Sequence, residues 1–79
     1  MWYNIKFNDN LITVTNLSSE TEVIVSISLS ETCTTDFTEI VKNIDVDLSK
    51  EFKLPFINGI YKIEIERISG TTVIETVEF

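Results

Sequence analysis

The chain has 79 residues and a net charge of −7, and its composition excludes several classes of protein. Ile, Val and Thr fill 29 positions while Ala is absent, which argues against a helical bundle and favours strands. The acidic balance disfavours direct binding to a nucleic-acid backbone, and the absence of His with a single Cys excludes imidazole catalysis and an intrachain disulfide.

The first predicted element is a hairpin near the N-terminus. Apolar and polar residues alternate from Tyr3 to Phe7 and resume alternating after Asp9-Asn10. Asp and Asn tolerate the left-handed backbone that two-residue turns require. A turn at Asp9-Asn10 pairs Phe7 with Ile12, so that apolar side chains face each other across the hairpin.

The middle of the chain predicts three more strands. Residues 22–29 alternate most clearly and are followed by a loop over residues 30–38. The next alternating segment, residues 40–48, places one set of side chains on a single face: Ile40, Lys42, Ile44, Val46 and Leu48. A short strand follows at residues 52–54 and stops at Pro55, because proline cannot donate to a central ladder.

The last third predicts a second hairpin. Residues 60–66 form a strand with an apolar inner face, and a three-residue loop at Ile68-Ser69-Gly70 leads to a strand over residues 72–79. This loop pairs Ile65 with Val73 but turns Glu75 toward the core. Since an unpaired buried carboxylate is unfavourable, we expect a bulge near Glu75.

The stretch around Asn58-Gly59 allows two interpretations. As a tight hairpin turn, it would pair Phe56 with Tyr61 in a meander of hairpins. Alternatively, the stretch is a crossing between two sheets. Pro55 favours this interpretation, because it interrupts the ladder.

In the second interpretation, Leu54, Gly59 and Tyr61 resemble the approach to the sixth strand of immunoglobulin-like and fibronectin-type-III-like sandwiches. The resemblance covers about residues 11–79 and lacks the paired Cys and core Trp of antibody domains. It implies a single all-β domain over residues 1–79, an antiparallel sandwich of six or seven strands. It also implies that Leu54, Gly59 and Tyr61 form a structural corner.

In its small size, acidity and single Cys, the chain also resembles accessory modules of tailed-phage virions, which decorate capsids, tails and fibres. Residues 1–6 lack the basic and apolar regions of a signal peptide, and no apolar segment is long enough to span a bilayer. The resemblance implies a non-enzymatic structural module in the virion or the host cytoplasm. Its partners would be protein subunits of the assembly, further copies of the chain among them, with no nucleic acid and no membrane.

The sequence offers little catalytic chemistry. Cys33 has no basic activator nearby in sequence, so an inert thiol is favoured over a reactive one. Asp45 and Asp47 share a strand face, but their spacing matches no known calcium loop, and a solvated face is favoured. We therefore expect no catalytic residues, no cofactor and no metal site.

Four residues are candidates for contact with a protein partner: Trp2, Tyr3, Ile74 and Phe79. Trp2 and Tyr3 either fold back on the core or dock on a partner. Ile74 is expected on the outward face of the last strand, where a partner would cover it. An alternative function is an acidic inhibitor that blocks a basic surface of a host protein, guided by the net charge of −7.

Overall fold

The computed structural model describes residues 1–79, which form seven strands and no helix. The strands are β1 (Tyr3–Asn8), β2 (Leu11–Asn16), β3 (Val23–Ser30), β4 (Thr38–Val46), β5 (Ser49–Lys53), β6 (Ile60–Arg67) and β7 (Thr72–Glu78). They make two antiparallel sheets, one ordered β1-β2-β5 and the other β4-β3-β6-β7. The predicted small β-sandwich is therefore confirmed. The chain contains no long apolar helix of the kind that crosses a membrane.

The core lies between the two sheets and is built from alternate residues of the inner strands. On β3, Val23, Val25 and Ile27 are fully buried, and their neighbours on the other face are not. The complete set of buried apolar residues is Ile12, Val14, Val23, Val25, Ile27, Leu29, Val46, Phe52, Leu54, Tyr61, Ile63 and Ile65. Period-two alternation in the sequence thus corresponds directly to burial.

The first hairpin forms as predicted. Phe7 pairs with Ile12 across the β1–β2 ladder, and Asp9 adopts the left-handed conformation with φ of 54°. A two-residue connection at Asp9-Asn10 fixes this register, because a one-residue slip would turn every apolar side chain to the other face.

Strand β4 differs from its prediction, because its register against β3 shifts twice, once between the Val25 and Ile27 pairs and again between the Ile27 and Ser28 pairs. Val41 pairs with Ile27 and Ile44 with Val25, so the inner face changes phase between them. Asn43 has φ of 47° at this irregularity. Ile40, which lies between the paired residues Glu39 and Val41 at a register shift, is 39% exposed, whereas Leu48 lies beyond the end of β4 in the turn to β5 and is 80% exposed. The uninterrupted alternation expected over residues 40–48 was wrong, because a bulge shifts the side chains after it to the opposite face.

The chain crosses between the sheets after β5. Strand β5 pairs with β2 in one sheet, whereas β6 pairs with β3 and β7 in the other. The hairpin interpretation of Asn58-Gly59, and with it the meander of hairpins, was therefore wrong. Pro55 accounts for the outcome, since it ends the ladder of β5 and directs the chain out of that sheet.

The second hairpin has the predicted loop but no bulge. Ile65 pairs with Val73, and Gly70 has φ of 103° at the third loop position. Glu75 pairs with Ile63 in an unbroken register, so the expected bulge near Glu75 was wrong. Strand β7 lies at the edge of its sheet, where Glu75 is exposed although it shares the inner face with Val73.

Candidate interaction surface

The three corner residues stabilise the sheet crossing. Tyr61 is fully buried, and its hydroxyl donates toward the carbonyl oxygens of Ile57 at 2.6 Å and Pro55 at 3.0 Å. Leu54 is buried in the core, and its amide donates to the carbonyl oxygen of Asn10. A Cβ at Gly59 would lie 2.4 Å from the Ser30 carbonyl oxygen, so only glycine fits. All three residues are buried and maintain the fold.

Trp2 packs mainly within its own domain. Its ring lies edge-on to Tyr3 with centroids 5.0 Å apart, and the Arg67 guanidinium sits 5.3 Å from the indole. Arg67 also forms an ion pair with Glu20. Trp2 is half-buried against the core, and its contact with a partner stays a prediction.

The backbone of β7 presents a free hydrogen-bonding edge. Gly59 and Phe79 exchange both of their backbone hydrogen bonds. In an antiparallel ladder such pairs alternate with non-bonded pairs, so Val73, Glu75 and Val77 also bond to β6. The amides and carbonyls of the intervening residues point away from β6: Thr72, Ile74, Thr76 and Glu78. This row of outward groups is called the β7 edge below.

The other three edge strands each carry a feature that discourages pairing. Strand β4 has its bulge, which the Ser26 hydroxyl stabilises by accepting from the Asn43 amide and donating to the Asn43 side-chain oxygen. Strand β5 has five residues, among them Lys50 and Lys53. Strand β1 carries Lys6. Bulges, short length and lysines are usual protections of sheet edges, and β7 has none of these three. Its one protection is the inward-facing carboxylate of Glu75, which restricts the strands that can pair with it.

The side chain of Ile74 stands on the outer face of β7. It is 53% exposed and lies opposite Glu64 of β6. The expectation that Ile74 faces outward is therefore met in the geometry. Its role as a contact remains a prediction.

Tyr3 connects β1 to the inner face of β7. Its hydroxyl donates to one carboxylate oxygen of Glu75 at 3.1 Å. Partial desolvation, followed by this hydrogen bond and the charge of Glu75, raises the pKa of Tyr3 above that of an ordinary phenol. The bond leaves the second carboxylate oxygen of Glu75 without a protein partner.

Phe79 lies at the end of β7 beside an open cleft of about 600 Å³. Its ring is 47% exposed and lies edge-on to Tyr61, with centroids 5.5 Å apart. The cleft is lined by Phe7, Asp9, Asn10, Leu54, Pro55, Phe56, Ile57, Asn58 and Phe79. Phe56 is 84% exposed and was not among the predicted contact residues. Its position directly after Pro55, outside any strand, was the signal available in the sequence.

Acidic side chains gather at the opposite edge of the four-stranded sheet. The charge of Asp45, then a hydrogen bond with Asp45, partial desolvation and the charge of Asp47 raise the pKa of Glu22. No three carboxylate or thiol groups in the chain are arranged to hold one metal ion.

Cys33 is exposed in the loop before β4, and its thiol lies 3.5 Å from a carboxylate oxygen of Glu78. Partial desolvation, then the hydrogen bond and charge of Glu78, raise the pKa of the Cys33 thiol. A raised pKa lowers the fraction of this thiol that is present as thiolate, which is the nucleophilic form.

Comparisons with known proteins found no matching family model, no similar curated protein and no similar solved structure.

Proposed function

We propose that the chain is a non-enzymatic interaction module that joins a larger protein assembly through its β7 edge. The main support for this proposal is that β7, alone among the four edge strands, presents outward amides and carbonyls with no bulge, lysine or proline. Extended segments of partner proteins commonly add to such an edge, with main-chain hydrogen bonds supplying affinity. Ile74, half-exposed at the centre of this edge, would be covered by the added strand.

We further propose that the assembly is a particle such as a tailed-phage virion, in which the chain is an accessory subunit. The immunoglobulin-like or fibronectin-type-III-like resemblance supports this proposal through the two sheet orders and the Tyr61 corner. On this proposal the protein is found in the virion or in the host cytoplasm.

The small core also supports association. The chain buries twelve apolar residues and has one unpaired Cys, so neither a disulfide nor a large core stabilises it. Binding to the folded state adds stability by mass action, which a domain of this size can use.

The test compares two proline variants of adjacent residues. Ile74→Pro removes an outward amide of the β7 edge, whereas Glu75→Pro removes an amide bonded to β6. In cells of its source, the tagged wild-type chain should sediment with a particle far larger than 9.1 kDa. Ile74→Pro should stay folded and remain with free protein. Glu75→Pro should be destabilised even as the isolated domain.

A second variant covers the case in which Ile74→Pro fails to fold. Ile74→Lys adds an edge-protecting charge and places an opposite charge across from Glu64, so it keeps the fold. Normal incorporation of a folded Ile74 variant would contradict the proposal.

The alternative proposal is an acidic inhibitor of a basic host surface, and the cluster of Glu22, Asp45 and Asp47 favours it. This cluster lies by β3 and β4, so β7 variants should leave its function intact. Asp45→Asn should then weaken target binding, and binding should fall steeply as salt increases. Loss of binding in Ile74→Pro would instead support the β7 edge.

A further inference from the structure

We propose that the occupant of the β7 edge is an extended basic segment of the partner, paired antiparallel to β7, with one cationic side chain opposite Glu75 and another opposite Glu78. This inference deepens the proposed function and rests on it. It assigns the partner's chemistry from the charges that border the edge.

Four carboxylates border the β7 edge: Glu64, Glu66, Glu75 and Glu78. None of them takes part in an ion pair, since the one salt bridge of the chain joins Arg67 to Glu20. Lys62 is the one cation on the neighbouring part of β6, and its ammonium lies 4.4 Å from the Phe37 ring centroid. The charge along the edge is therefore uncompensated within the chain.

Glu75 makes the edge selective. Its carboxylate shares the inner face of β7 with Val73 and Val77, so an added strand would place a side chain directly across from it. Charges that point inward at an edge strand discourage pairing with apolar or acidic strands. A lysine or arginine at that position would reach the carboxylate oxygen that Tyr3 leaves free.

A second copy of this chain that pairs through its own β7 fits the edge poorly. Strand β7 contains no Lys or Arg, so in no antiparallel register can another β7 present a cation to Glu75 or Glu78. In the register centred on Glu75, the two Glu75 carboxylates would face each other, and like charges directly opposite are destabilising.

The register defines a pattern for the partner strand. The partner residues opposite Glu78 and Glu75 should be basic. Those opposite Val77, Ile74 and Val73 should be apolar, the one opposite Thr76 small and polar, and the one opposite Thr72 polar. The peptide Lys-Val-Thr-Lys-Ile-Val-Thr follows this pattern and serves as the probe. Its odd-numbered residues would direct their amides at β7.

The experiment titrates the full chain with this peptide and with three matched forms of it. The first carries Glu in place of both Lys. The second form is N-methylated at peptide residues 3 and 5, whose amides would face β7. The third form is N-methylated at peptide residues 2 and 6, whose amides would face away from β7. We expect binding only of the original peptide and of the third form. Chemical-shift changes should concentrate on residues 72–78.

Two charge-matched variants of the protein test the role of Glu75. Glu75→Gln should weaken peptide binding by up to about fivefold, the upper range for an opposite-charge cross-strand pair. Glu51→Gln changes the net charge equally but lies on β5, in the other sheet, and should leave affinity within about twofold because salt screens distant charges. If both variants weakened peptide binding equally, the effect would come from net charge alone, and the inference would be overturned.

The remaining outcomes separate this inference from the proposed function. If the Glu-containing peptide binds as well as the basic one, and N-methylation at the third and fifth residues still abolishes binding, strand addition stands and the basic partner is overturned. If no peptide binds while Ile74→Pro still blocks incorporation, the basic segment is again overturned. Concentration-dependent self-association that Ile74→Pro abolishes would identify a second copy as the occupant and overturn it as well. If no peptide binds and Ile74→Pro incorporates normally, the proposed function falls too.

Discussion

At the residue scale, the hydroxyl of Tyr61 stabilises the crossing between the sheets by donating toward two backbone carbonyls, those of Ile57 and Pro55. We expect Tyr61→Phe to lower the free energy of unfolding by about 1–3 kcal/mol, because partly buried carbonyls would lose their donor. Tyr3→Phe is the matched control, since its hydroxyl is bonded at the exposed edge, and its effect should stay within about 0.5 kcal/mol. Urea unfolding of both variants measures the difference. Equal stabilities would contradict the role of Tyr61.

The two glycines differ in what surrounds them. A Cβ at Gly59 would clash with the Ser30 backbone oxygen at 2.4 Å, whereas nothing lies within 4 Å of one at Gly70. Gly70→Ala should lose about 1–3 kcal/mol of stability from its positive φ alone. Gly59→Ala should lose more, because the backbone must also move. Thermal unfolding ranks the two variants, and the reverse order would show that the crossing is not closely packed.

Some of these residue roles were predictable from sequence and others were not. The corner of Leu54, Gly59 and Tyr61 could be predicted from its resemblance to immunoglobulin-like sandwiches. The positions of Trp2 and Glu75 depend on residues far along the chain, Arg67 and Tyr3. No local pattern encodes such contacts. The bulge expected at Glu75 failed because β7 is an edge strand, on which Glu75 stays exposed.

At the element scale, the bulge in β4 depends on a left-handed residue. Asn43→Val and Asn43→Gly both lose the side-chain hydrogen bond with Ser26. The difference between their free energies of unfolding therefore measures the cost of the left-handed backbone conformation. We expect the Val variant to be less stable than the Gly variant by about 1–2 kcal/mol, the usual excess of a left-handed conformation for residues with a Cβ. Chemical denaturation provides the comparison. A Val variant as stable as the Gly variant would mean that β4 pairs without its bulge.

Strand existence was easier to predict than strand phase. Clean alternation identified β3 and β6, and turn residues set both hairpin registers. On β4 the residues on either side of the bulge are both apolar, so alternation alone did not reveal where the phase changes. The bulge becomes visible only when β4 is paired with Val25 and Ile27 of β3.

At the scale of the whole molecule, acidic charge makes stability depend on pH. Asp45 and Asp47 raise the pKa of Glu22 in the folded state, so the folded state binds more protons than the unfolded state just above the ordinary glutamate pKa of about 4.3. The stability that this difference in proton binding contributes is fully present below that pH, and it is lost as the pH rises through the raised pKa of Glu22. We therefore expect Tm to fall with rising pH across this window. Glu22→Gln should remove that part of the slope, while Glu51→Gln should retain it.

The size and charge of the molecule also relate to its proposed association. The core is small, and the backbone groups of the β7 edge have no partner strand, so the proposed association would add its contacts there. The fold could be predicted from alternation and composition. The availability of β7 could not, because it depends on which strands end at the sheet edges and on what protects each of them.

Amide hydrogen exchange along β7 shows whether a partner strand pairs with the β7 edge. In the isolated protein, the amides of Thr72, Ile74, Thr76 and Glu78 should exchange fast, while those of Val73, Glu75 and Val77 should be protected by β6. Within the assembly, the outward amides should become protected and the alternation should disappear. Outward amides that stay fast in the assembly would contradict the account.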